Sequence, residues 1–261
     1  MTPSLSLSGK VALITGGSRG IGAAAVRLFV AAGGKVLFNY LKAGPQAERL
    51  VEKLGKENCA ATECNLSGTE TAHALVKSAV DRFGRLDILV ANHGVWPASD
   101  MPVDEMPGEQ WHNTVSINLD SVFALVKHSV AQMKRQQRID ESASGHIVLV
   151  SSTSGQRGEA FHCDYAATKG ALISMVKGLA TELARNRIYV NCVAPGWVHT
   201  DMSAPALNDP EIRKRVLETI PLGRAATPEE IAAPIFFLCT KLAGFITGEV
   251  LNVNGGAVLA G

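Results

Sequence analysis

The fold is decided by the stretch Val11-Ala12-Leu13-Ile14-Thr15-Gly16-Gly17-Ser18-Arg19-Gly20-Ile21-Gly22. Its first five residues form an apolar, partly β-branched run that predicts a strand, and residues 23–32 are rich in helix formers. The glycines between them allow a tight turn and a close approach to a pyrophosphate, which the free N–H groups of a helix start can bind. The order strand, glycine turn, helix is typical of a dinucleotide site. A βα turn without a ligand remains the alternative.

Further apolar runs, alternating with helix-like segments, continue this pattern to the end of the chain. The seven predicted strands are residues 11–15, 35–40, 60–64, 86–91, 146–151, 188–194 and 249–253. Several are continuously apolar, as strands covered on both faces should be. We therefore predict an α/β protein with a doubly wound Rossmann fold. It has a seven-stranded parallel sheet, helices on both faces, and a single domain over residues 1–261. Residues 199–221 lack a strand pattern and are a candidate substrate lid, and residues 136–145 form a polar, exposed patch.

Composition and charge exclude several classes of protein. The 261 residues are 46% hydrophobic and carry a formal net charge of +1, so no global field favours nucleic acid or an anionic membrane. No apolar run approaches the roughly 18 residues of a membrane span. The five cysteines contain no C-x-x-C pair, which predicts no metal site and a reducing compartment. We expect a cytoplasmic protein.

The end of the second predicted strand bears on the choice of nicotinamide cofactor. An NAD enzyme is expected to carry an acid there for the ribose hydroxyls, but the residues present are Asn39 and Tyr40. Arg19 in the glycine turn supplies a cation that can pair with a 2′-phosphate. This pattern favours NADP(H) over NAD(H), and replacement of Asn39 by Asp is expected to favour NADH. A solvated Arg19 with no ligand is the alternative.

A serine, a tyrosine and a lysine follow the fifth predicted strand. Ser152 lies near its end, and Tyr165 and Lys169 stand at i and i+4 of a predicted helix, so they share one face. An ammonium close to the phenol is expected to draw the pKa of Tyr165 down from about 10, as proton transfer at neutral pH requires. Tyr-x-x-x-Lys alone is a common surface pair, so the serine and the glycine turn carry the interpretation.

Several motifs in the same order make the chain similar to a known family over nearly its whole length. They are Thr15-Gly16-x-x-x-Gly20-x-Gly22, Asn92-His93-Gly94, Asn118 in Ser116-Ile117-Asn118-Leu119, Ser152, Tyr165-x-x-x-Lys169 and Pro195-Gly196-Trp197-Val198-His199-Thr200. On these residues the sequence resembles the short-chain dehydrogenase/reductase family. The resemblance implies that the protein is an NAD(P)-dependent oxidoreductase acting on CH–OH groups.

The resemblance also implies roles for four catalytic residues. Tyr165 is the general acid in carbonyl reduction or the base in alcohol oxidation, and Ser152 binds the substrate oxygen. Lys169 contacts the nicotinamide ribose and tunes Tyr165. Asn118, at a helix irregularity, extends a proton relay from Lys169.

The glycine turn and the resemblance together give a predicted cofactor site. Its residues are Gly16, Ser18, Arg19, Gly20, Ile21, Gly22, Asn39, Tyr40, Asn65, Leu66, Asn92, His93, Gly94, Tyr165, Lys169, Pro195, Gly196, Val198 and Thr200. Two of them depart from the family pattern. Asn65 stands where the family often has an Asp that accepts from the adenine amine, and its carbonyl oxygen can still accept. His93 replaces the middle residue of Asn-Ala-Gly, and we interpret it as a steric filler rather than a catalytic group.

The predicted substrate side is less specific. Its candidates are Ser154, Trp96, His162, Trp197 and Met202, although aromatic residues here are as often ordinary packing. The leading hypothesis is an NADPH-dependent carbonyl reductase similar to the 3-oxoacyl-acyl-carrier-protein reductases of fatty acid biosynthesis. It rests on Ile220-Pro221-Leu222-Gly223-Arg224 and the tail Asn252-Val253-Asn254-Gly255-Gly256. The alternatives are a reductase of a sugar, polyol, steroid or small ketone, and a non-catalytic NADP-binding regulatory protein.

The resemblance also bears on assembly and partners. Relatives associate through the two long helices predicted near residues 109–137 and 165–185, where Val122, Leu125, Leu172 and Met175 stand, so we expect a homotetramer. An acyl carrier protein is acidic and would need basic residues near the cleft. The candidates are Lys134, Arg135, Arg185 and Arg187, with Asp140 and Glu141 in residues 136–145 able to weaken that patch.

Overall fold

All seven predicted strands form a single parallel sheet. The structure is a computed structural model and describes residues 5–137 and 143–260. Strands β1 to β7 are Val11–Ile14, Lys35–Tyr40, Cys59–Glu63, Ile88–Ala91, Gly145–Val150, Ile188–Pro195 and Val250–Val253. They lie in the order β3-β2-β1-β4-β5-β6-β7. The strand order reverses between β1 and β4, and at such a point a crevice opens at the carboxyl edge of the sheet.

Ten α-helices of the described residues connect these strands. Helices α1 to α10 are Gly20–Ala31, Gly44–Leu54, Ala72–Phe83, Gly108–Val115, Ser121–Arg135, Thr153–Arg157, Cys163–Leu183, Ala204–Asn208, Pro210–Glu218 and Pro228–Leu238. The long helix predicted near residues 109–137 is divided, because a π-helix at Ser116–Asp120 separates α4 from α5. This is the helix irregularity expected at Asn118.

The helices cover both faces of the sheet. Helices α1, α2 and α10 pack on one face against alternating strand residues such as Ile14 and Val90. Helices α3, α5 and α7 pack on the other face, against residues of opposite alternation such as Leu13 and Leu89. Because successive strand side chains point to opposite faces, the continuously apolar runs are what a doubly covered sheet requires. The doubly wound fold is confirmed.

The apolar residues that suggested association mostly belong to this core. Val122, Leu125 and Leu172 are fully buried in the chain itself, against the sheet, and Met175 is half-buried beside them. They are therefore not a surplus apolar surface, and this part of the argument for a tetramer is wrong. The exposed apolar side chains in this region are Phe123 on α5 and Trp111 on α4.

The candidate lid contains the two short helices α8 and α9. Asp209 caps α9 by accepting hydrogen bonds from Glu211 N and Ile212 N, both at 2.9 Å. A small cluster of Leu207, Val216, Ile220 and Ala225 gives this segment its own apolar contacts. Of the polar patch 136–145, residues 138–142, with Asp140 and Glu141, lie outside the described residues.

Over residues 5–137 and 143–260, no helix is long and apolar enough to cross a membrane. In the same part of the chain, no three His, Cys, Asp or Glu residues are grouped so that they could hold a metal ion.

Candidate active site

A cleft of about 620 Å³ opens at the carboxyl edge of the sheet, where the strand order reverses. This volume is within the range of roughly 300–1,000 Å³ that is usual for small-molecule sites. The cleft is lined by nearly all of the predicted cofactor residues. Gly22 is the exception, since it lies behind Gly16, and the catalytic candidate Asn118 is fully buried beneath the cleft.

The glycine turn has the geometry of an anion cradle. Gly16 and Gly20 adopt positive φ angles of 64° and 53°, a conformation that favours glycine. A Cβ on Gly22 would lie only 2.1 Å from Gly16 O, so no other residue fits there. Helix α1 begins directly after Arg19 with no side-chain cap and no acid in its first turn. Its N–H groups are therefore available to a pyrophosphate, and the residues present fit a dinucleotide.

The side-chain amides of Asn92 and Asn39 hold this turn in place. Asn92 Nδ2 donates to Thr15 O at 3.0 Å, and Asn39 Oδ1 accepts from Gly16 N at 2.9 Å. Asn39 Nδ2 also donates to Cys64 O at 3.0 Å. The side chain of Asn39 is thus engaged within the protein, at the wall of the cleft. This geometry is a reason to revise the expectation that Asp at this position favours NADH, because a carboxylate would face the Cys64 carbonyl oxygen.

His93 links the turn to the helix irregularity. Its Nδ1 lies 2.7 Å from Thr15 Oγ1, and its Nε2 lies 2.7 Å from Ser121 Oγ, whose own hydrogen is donated to Ile117 O. Nε2 therefore carries the hydrogen. Thr15 Oγ1 already accepts from the backbone N–H groups of Asn92 and His93, so its own hydrogen is available to Nδ1, and this pattern fits a neutral imidazole. Burial, and secondarily the charge of Lys169, lowers the pKa of His93 to about 4. His93 is more than a steric filler, since it bridges two segments of the site.

The predicted catalytic residues converge at the inner end of the cleft. Ser152 precedes helix α6, and Tyr165 and Lys169 lie on one face of α7. The buried Lys169 Nζ donates to Val150 O at 2.8 Å and lies 5.6 Å from the centroid of the Tyr165 ring. Asn118 holds the backbone of Val95 by two hydrogen bonds of 2.8 and 2.9 Å.

The electrostatics of Tyr165 differ from the expectation. Burial raises its pKa to about 12; the Ser152 hydroxyl opposes this shift, and the charge of Glu159 adds to it. The ammonium of Lys169 donates to a backbone carbonyl rather than to the phenol, and burial lowers the pKa of Lys169 itself to about 8. The predicted low phenol pKa is therefore wrong for the protein without cofactor. A protonated Tyr165 is a proton donor at every physiological pH.

The substrate side contains four of the five predicted residues. Ser154, Trp96, Trp197 and Met202 line the cleft. His162 does not, because it is buried beneath Trp96, with the two rings stacked at 4.9 Å, and its Nε2 lies 2.8 Å from Pro97 O. The prediction that His162 lines the pocket is therefore wrong. His162 instead supports the ring of Trp96 from below.

Four charged residues of the cleft were missed by the sequence analysis, namely Lys42, Arg157, Glu159 and Asp201. Glu159 lines the substrate side and accepts a hydrogen bond from Ser154 Oγ at 2.5 Å. Lys42 lines the cofactor side directly after β2. The sequence did contain a signal for Lys42. The end of the second strand was inspected for an acid, and this cation follows shortly after it. Glu159 had no such signal, because it belongs to an irregular loop between α6 and α7.

An ion pair crosses the mouth of the cleft. Arg19 Nη1 in the glycine turn lies 3.0 Å from Asp201 Oδ2 at the start of the candidate lid, and both side chains are well exposed, at 64% and 69%. Arg19 therefore already has an acidic partner, whose charge competes with a 2′-phosphate for the same guanidinium. Exposed pairs of this kind contribute roughly 0–1 kcal/mol, so displacement costs little.

The basic residues considered for docking lie away from the cleft of their own chain. Lys134 and Arg135 end α5, and Arg187 directly precedes β6. They lie at the amino ends of β5 and β6, whereas Ser152 and Pro195 follow or end these strands at the carboxyl edge. The expectation that they lie near the cleft is wrong within one chain.

Comparisons with known proteins agree with this architecture. The family model described as Enoyl-(Acyl carrier protein) reductase matches residues 16–258. The 3-oxoacyl-[acyl-carrier-protein] reductase FabG of Vibrio cholerae is 39% identical over 252 residues, which cover 97% of this chain and 98% of the relative.

Solved structures of other proteins also superpose on this chain over nearly its whole length. A short-chain dehydrogenase/reductase of Brucella melitensis, described as a glucose/ribitol dehydrogenase, superposes on this chain with a TM-score of 0.87. The two are 35% identical, and the match covers 97% of this chain and 98% of the other. A blue fluorescent protein from a metagenomic library, in complex with NADPH, gives 0.87 at 31% identity and covers 97% of this chain and 100% of its own. The chain therefore belongs to the short-chain dehydrogenase/reductase family and is an NAD(P)-dependent oxidoreductase that acts on CH–OH groups.

Proposed function

We propose that the protein is an NADPH-dependent carbonyl reductase that acts on 3-oxoacyl thioesters, presented by an acyl carrier protein or as free thioesters. The observation that carries the proposal is the protonated Tyr165 beside Ser152 at the inner end of the cleft. A phenol with a raised pKa is suited to give a proton to a carbonyl oxygen. The similarity to 3-oxoacyl-acyl-carrier-protein reductases over nearly the whole chain supports the substrate class.

The chain's own residues have distinct parts in this proposal. Tyr165 gives the proton to the carbonyl oxygen, and Ser152 Oγ donates to the same oxygen, where negative charge develops. When bound, the reduced nicotinamide supplies the hydride. Lys169 holds the ribose, and Asn118, in the π-helix beneath it, supports the path by which Tyr165 regains a proton. Gly94 keeps this region open, since a Cβ there would lie 3.1 Å from Asn118 Oδ1, a tight contact.

The preference for NADPH is part of the proposal. Arg19 and Lys42 line the cofactor side of the cleft, while β2 ends at Asn39 and Tyr40 without an acid. Two cations can neutralise a 2′-phosphate, and the missing acid removes the usual acceptor for a ribose hydroxyl of NADH. We propose in addition that residues 199–221, including Asp201, close over the bound cofactor as a lid.

We also propose that the chain assembles into a homotetramer. Phe123 is 53% exposed on α5 and Trp111 is exposed on α4, so these two helices present apolar surface. Light scattering at micromolar concentration tests the assembly, and a monomer contradicts it.

The experiment that tests the function measures oxidation of NADPH with acetoacetyl thioesters of acyl carrier protein and of N-acetylcysteamine. We expect turnover with both and a higher kcat/KM for the carrier-protein form, with an advantage that falls as salt rises. Turnover also excludes the alternative of a non-catalytic regulatory protein. If neither thioester is reduced while cofactor binds, the proposed substrate class is wrong.

A further inference from the structure

Glu159 brings a carboxylate to the substrate side of the cleft. Its Oε2 accepts from Ser154 Oγ at 2.5 Å, and its Oε1 accepts from Trp96 Nε1 at 3.3 Å. The side chain is 23% exposed, and it lines the same cleft as Ser152 and Tyr165. An ionised carboxylate offers about four acceptor positions, so these two contacts leave about two of them for a ligand.

The charge of this carboxylate is only weakly compensated by the protein. Within residues 5–137 and 143–260, no Lys or Arg nitrogen lies within 4.0 Å of this carboxylate, and the one ring nitrogen within that distance is Nδ1 of His162, 3.8 Å from Oε1. Both ring nitrogens of His162 have nearer partners in backbone carbonyls, since Nδ1 lies 3.2 Å from Ala160 O and Nε2 lies 2.8 Å from Pro97 O. A partly desolvated carboxylate without a full partner is costly, and a hydrogen-bond donor on the ligand relieves that cost.

Glu159 is also held close to the reacting centre. Ser152 Oγ lies 3.2 Å from Ser154 Oγ, and Ser154 Oγ donates to Glu159 Oε2; when a substrate carbonyl binds, the Ser152 hydrogen turns from Ser154 to the carbonyl oxygen. Glu159 Oε2 is therefore at most about 6 Å from Ser152 Oγ, the distance that two hydrogen bonds in series span. A carbonyl oxygen bound at Ser152 places its neighbouring carbon atoms within reach of the carboxylate.

The rest of the cleft wall decides which donor fits. The rings of Trp96 and Trp197 meet edge to face at 6.1 Å and offer apolar surface to C–H groups. Arg157 lines the same cleft, so a cationic ammonium on the substrate would meet a like charge. A neutral hydroxyl satisfies Glu159 without that repulsion.

We propose that Glu159 is a specificity-determining residue that selects carbonyl substrates with a hydroxyl group on the carbon next to the reacting carbonyl, against substrates with a methyl group in its place. The inference rests on the proposed carbonyl reduction and narrows its substrate class. A site built to accept from a hydroxyl discriminates strongly against an isostere without one, because the isostere leaves the carboxylate desolvated and unpaired.

The test uses two 3-oxoacyl thioesters of N-acetylcysteamine that differ at one group. The 4-hydroxy-3-oxobutanoyl compound has a hydroxyl on C4, and the 3-oxopentanoyl compound has a methyl there. The ratio of their kcat/KM values is measured with NADPH for the wild-type protein, Glu159→Gln and Glu159→Leu. Glu182→Gln, an exposed carboxylate near the far end of α7, is the control for loss of one charge.

We expect kcat/KM of the wild-type protein and of Glu182→Gln to be about 10- to 100-fold higher for the hydroxylated thioester. A hydrogen bond to a charged acceptor produces a difference of this size. Glu159→Gln keeps shape and a weaker acceptor, so its preference should be smaller, and Glu159→Leu should lose or reverse it. A ratio near one in the wild-type protein, or an equal ratio in wild type and both Glu159 variants, overturns the inference. If the wild-type protein reduces neither thioester, the proposed function itself fails; reduction of both at equal efficiency overturns this inference alone.

Discussion

Lys169 Nζ donates to Val150 O and lies 5.6 Å from the centroid of the Tyr165 ring. The ammonium is thus directed at the end of β5 rather than at the phenol, and burial raises the pKa of Tyr165 to about 12. In the reduction that we propose, this arrangement separates two functions. Tyr165 gives the proton, and Lys169 holds the cofactor with a charge that burial makes easy to lose.

The first prediction concerns the pH dependence of reduction. Burial lowers the pKa of Lys169 to about 8, so the ammonium is present below that pH and is lost as the pH rises through it. Tyr165, with a pKa of about 12, stays protonated over the same range. We expect kcat/KM for carbonyl reduction to fall as the pH rises above about 8, measured with saturating carbonyl substrate and varied NADPH. A profile that stays level to pH 10 contradicts this assignment to Lys169.

The second prediction concerns the ion pair at the mouth of the cleft. Asp201→Asn frees Arg19 for a 2′-phosphate, so the Kd of NADPH should fall by up to about fivefold, while the Kd of NADH stays unchanged. Fluorescence titration of each cofactor measures both constants. Asp81→Asn removes the Lys77–Asp81 pair on α3, which is similarly exposed and lies outside the cleft lining, and serves as the control. Equal tightening of NADPH and NADH by Asp201→Asn would mean that Arg19 does not discriminate between them.

The third prediction compares two substitutions that introduce an acid near the carboxyl end of β2, one at Asn39 and one at Leu41. Asn39→Asp replaces the donor to Cys64 O by a carboxylate, so we expect a loss of about 1–3 kcal/mol in the free energy of unfolding and no gain for NADH. Leu41→Asp introduces the acid at an exposed position that lines the cleft, and it should shift the ratio of kcat/KM toward NADH. Denaturant titration and cofactor kinetics of both variants check this. A switch to NADH in Asn39→Asp with unchanged stability would contradict the structural role of Asn39.

The fourth prediction uses the neutral bridge made by His93. Its pKa is about 4 in the folded protein, below the value of about 6.5 in an unfolded chain. The unfolded chain therefore binds the proton first, so stability is fully present above pH 6.5 and falls as the pH drops from 6.5 toward 4. We expect the Tm of the wild-type protein to fall more steeply across that range than the Tm of His93→Gln. Parallel curves for the two proteins would show that His93 does not titrate in this way.

Hydrophobic pattern predicted the fold well because every strand of a doubly covered sheet must be apolar over its length. Residues 35–40, predicted as a strand, coincide with β2. The spacing of Tyr165 and Lys169 likewise predicted that both share a face of α7. Spacing could not predict the direction of the ammonium, which a carbonyl from β5, distant in sequence, determines.

The position of Glu159 in the cleft could not be predicted from the sequence pattern. It reaches the cleft through a loop in which Gly158 and Phe161 adopt positive φ angles of 78° and 65°. Neither the helical nor the strand period applies to such a loop, so its side-chain directions are not encoded in spacing. The same holds for Asn39, whose amide turns inward to Gly16 and Cys64.

The central claim, that Tyr165 is the proton donor of a carbonyl reductase, is tested most directly by Tyr165→Phe. The measurement pairs kcat for NADPH-dependent reduction of an acetoacetyl thioester with the Kd of NADPH by fluorescence titration. The ring still packs in the variant while the phenol hydroxyl is lost, so we expect kcat to fall by about 10²-fold or more and the Kd to stay within about twofold. Retention of most of kcat by Tyr165→Phe, with cofactor still bound, would contradict the account.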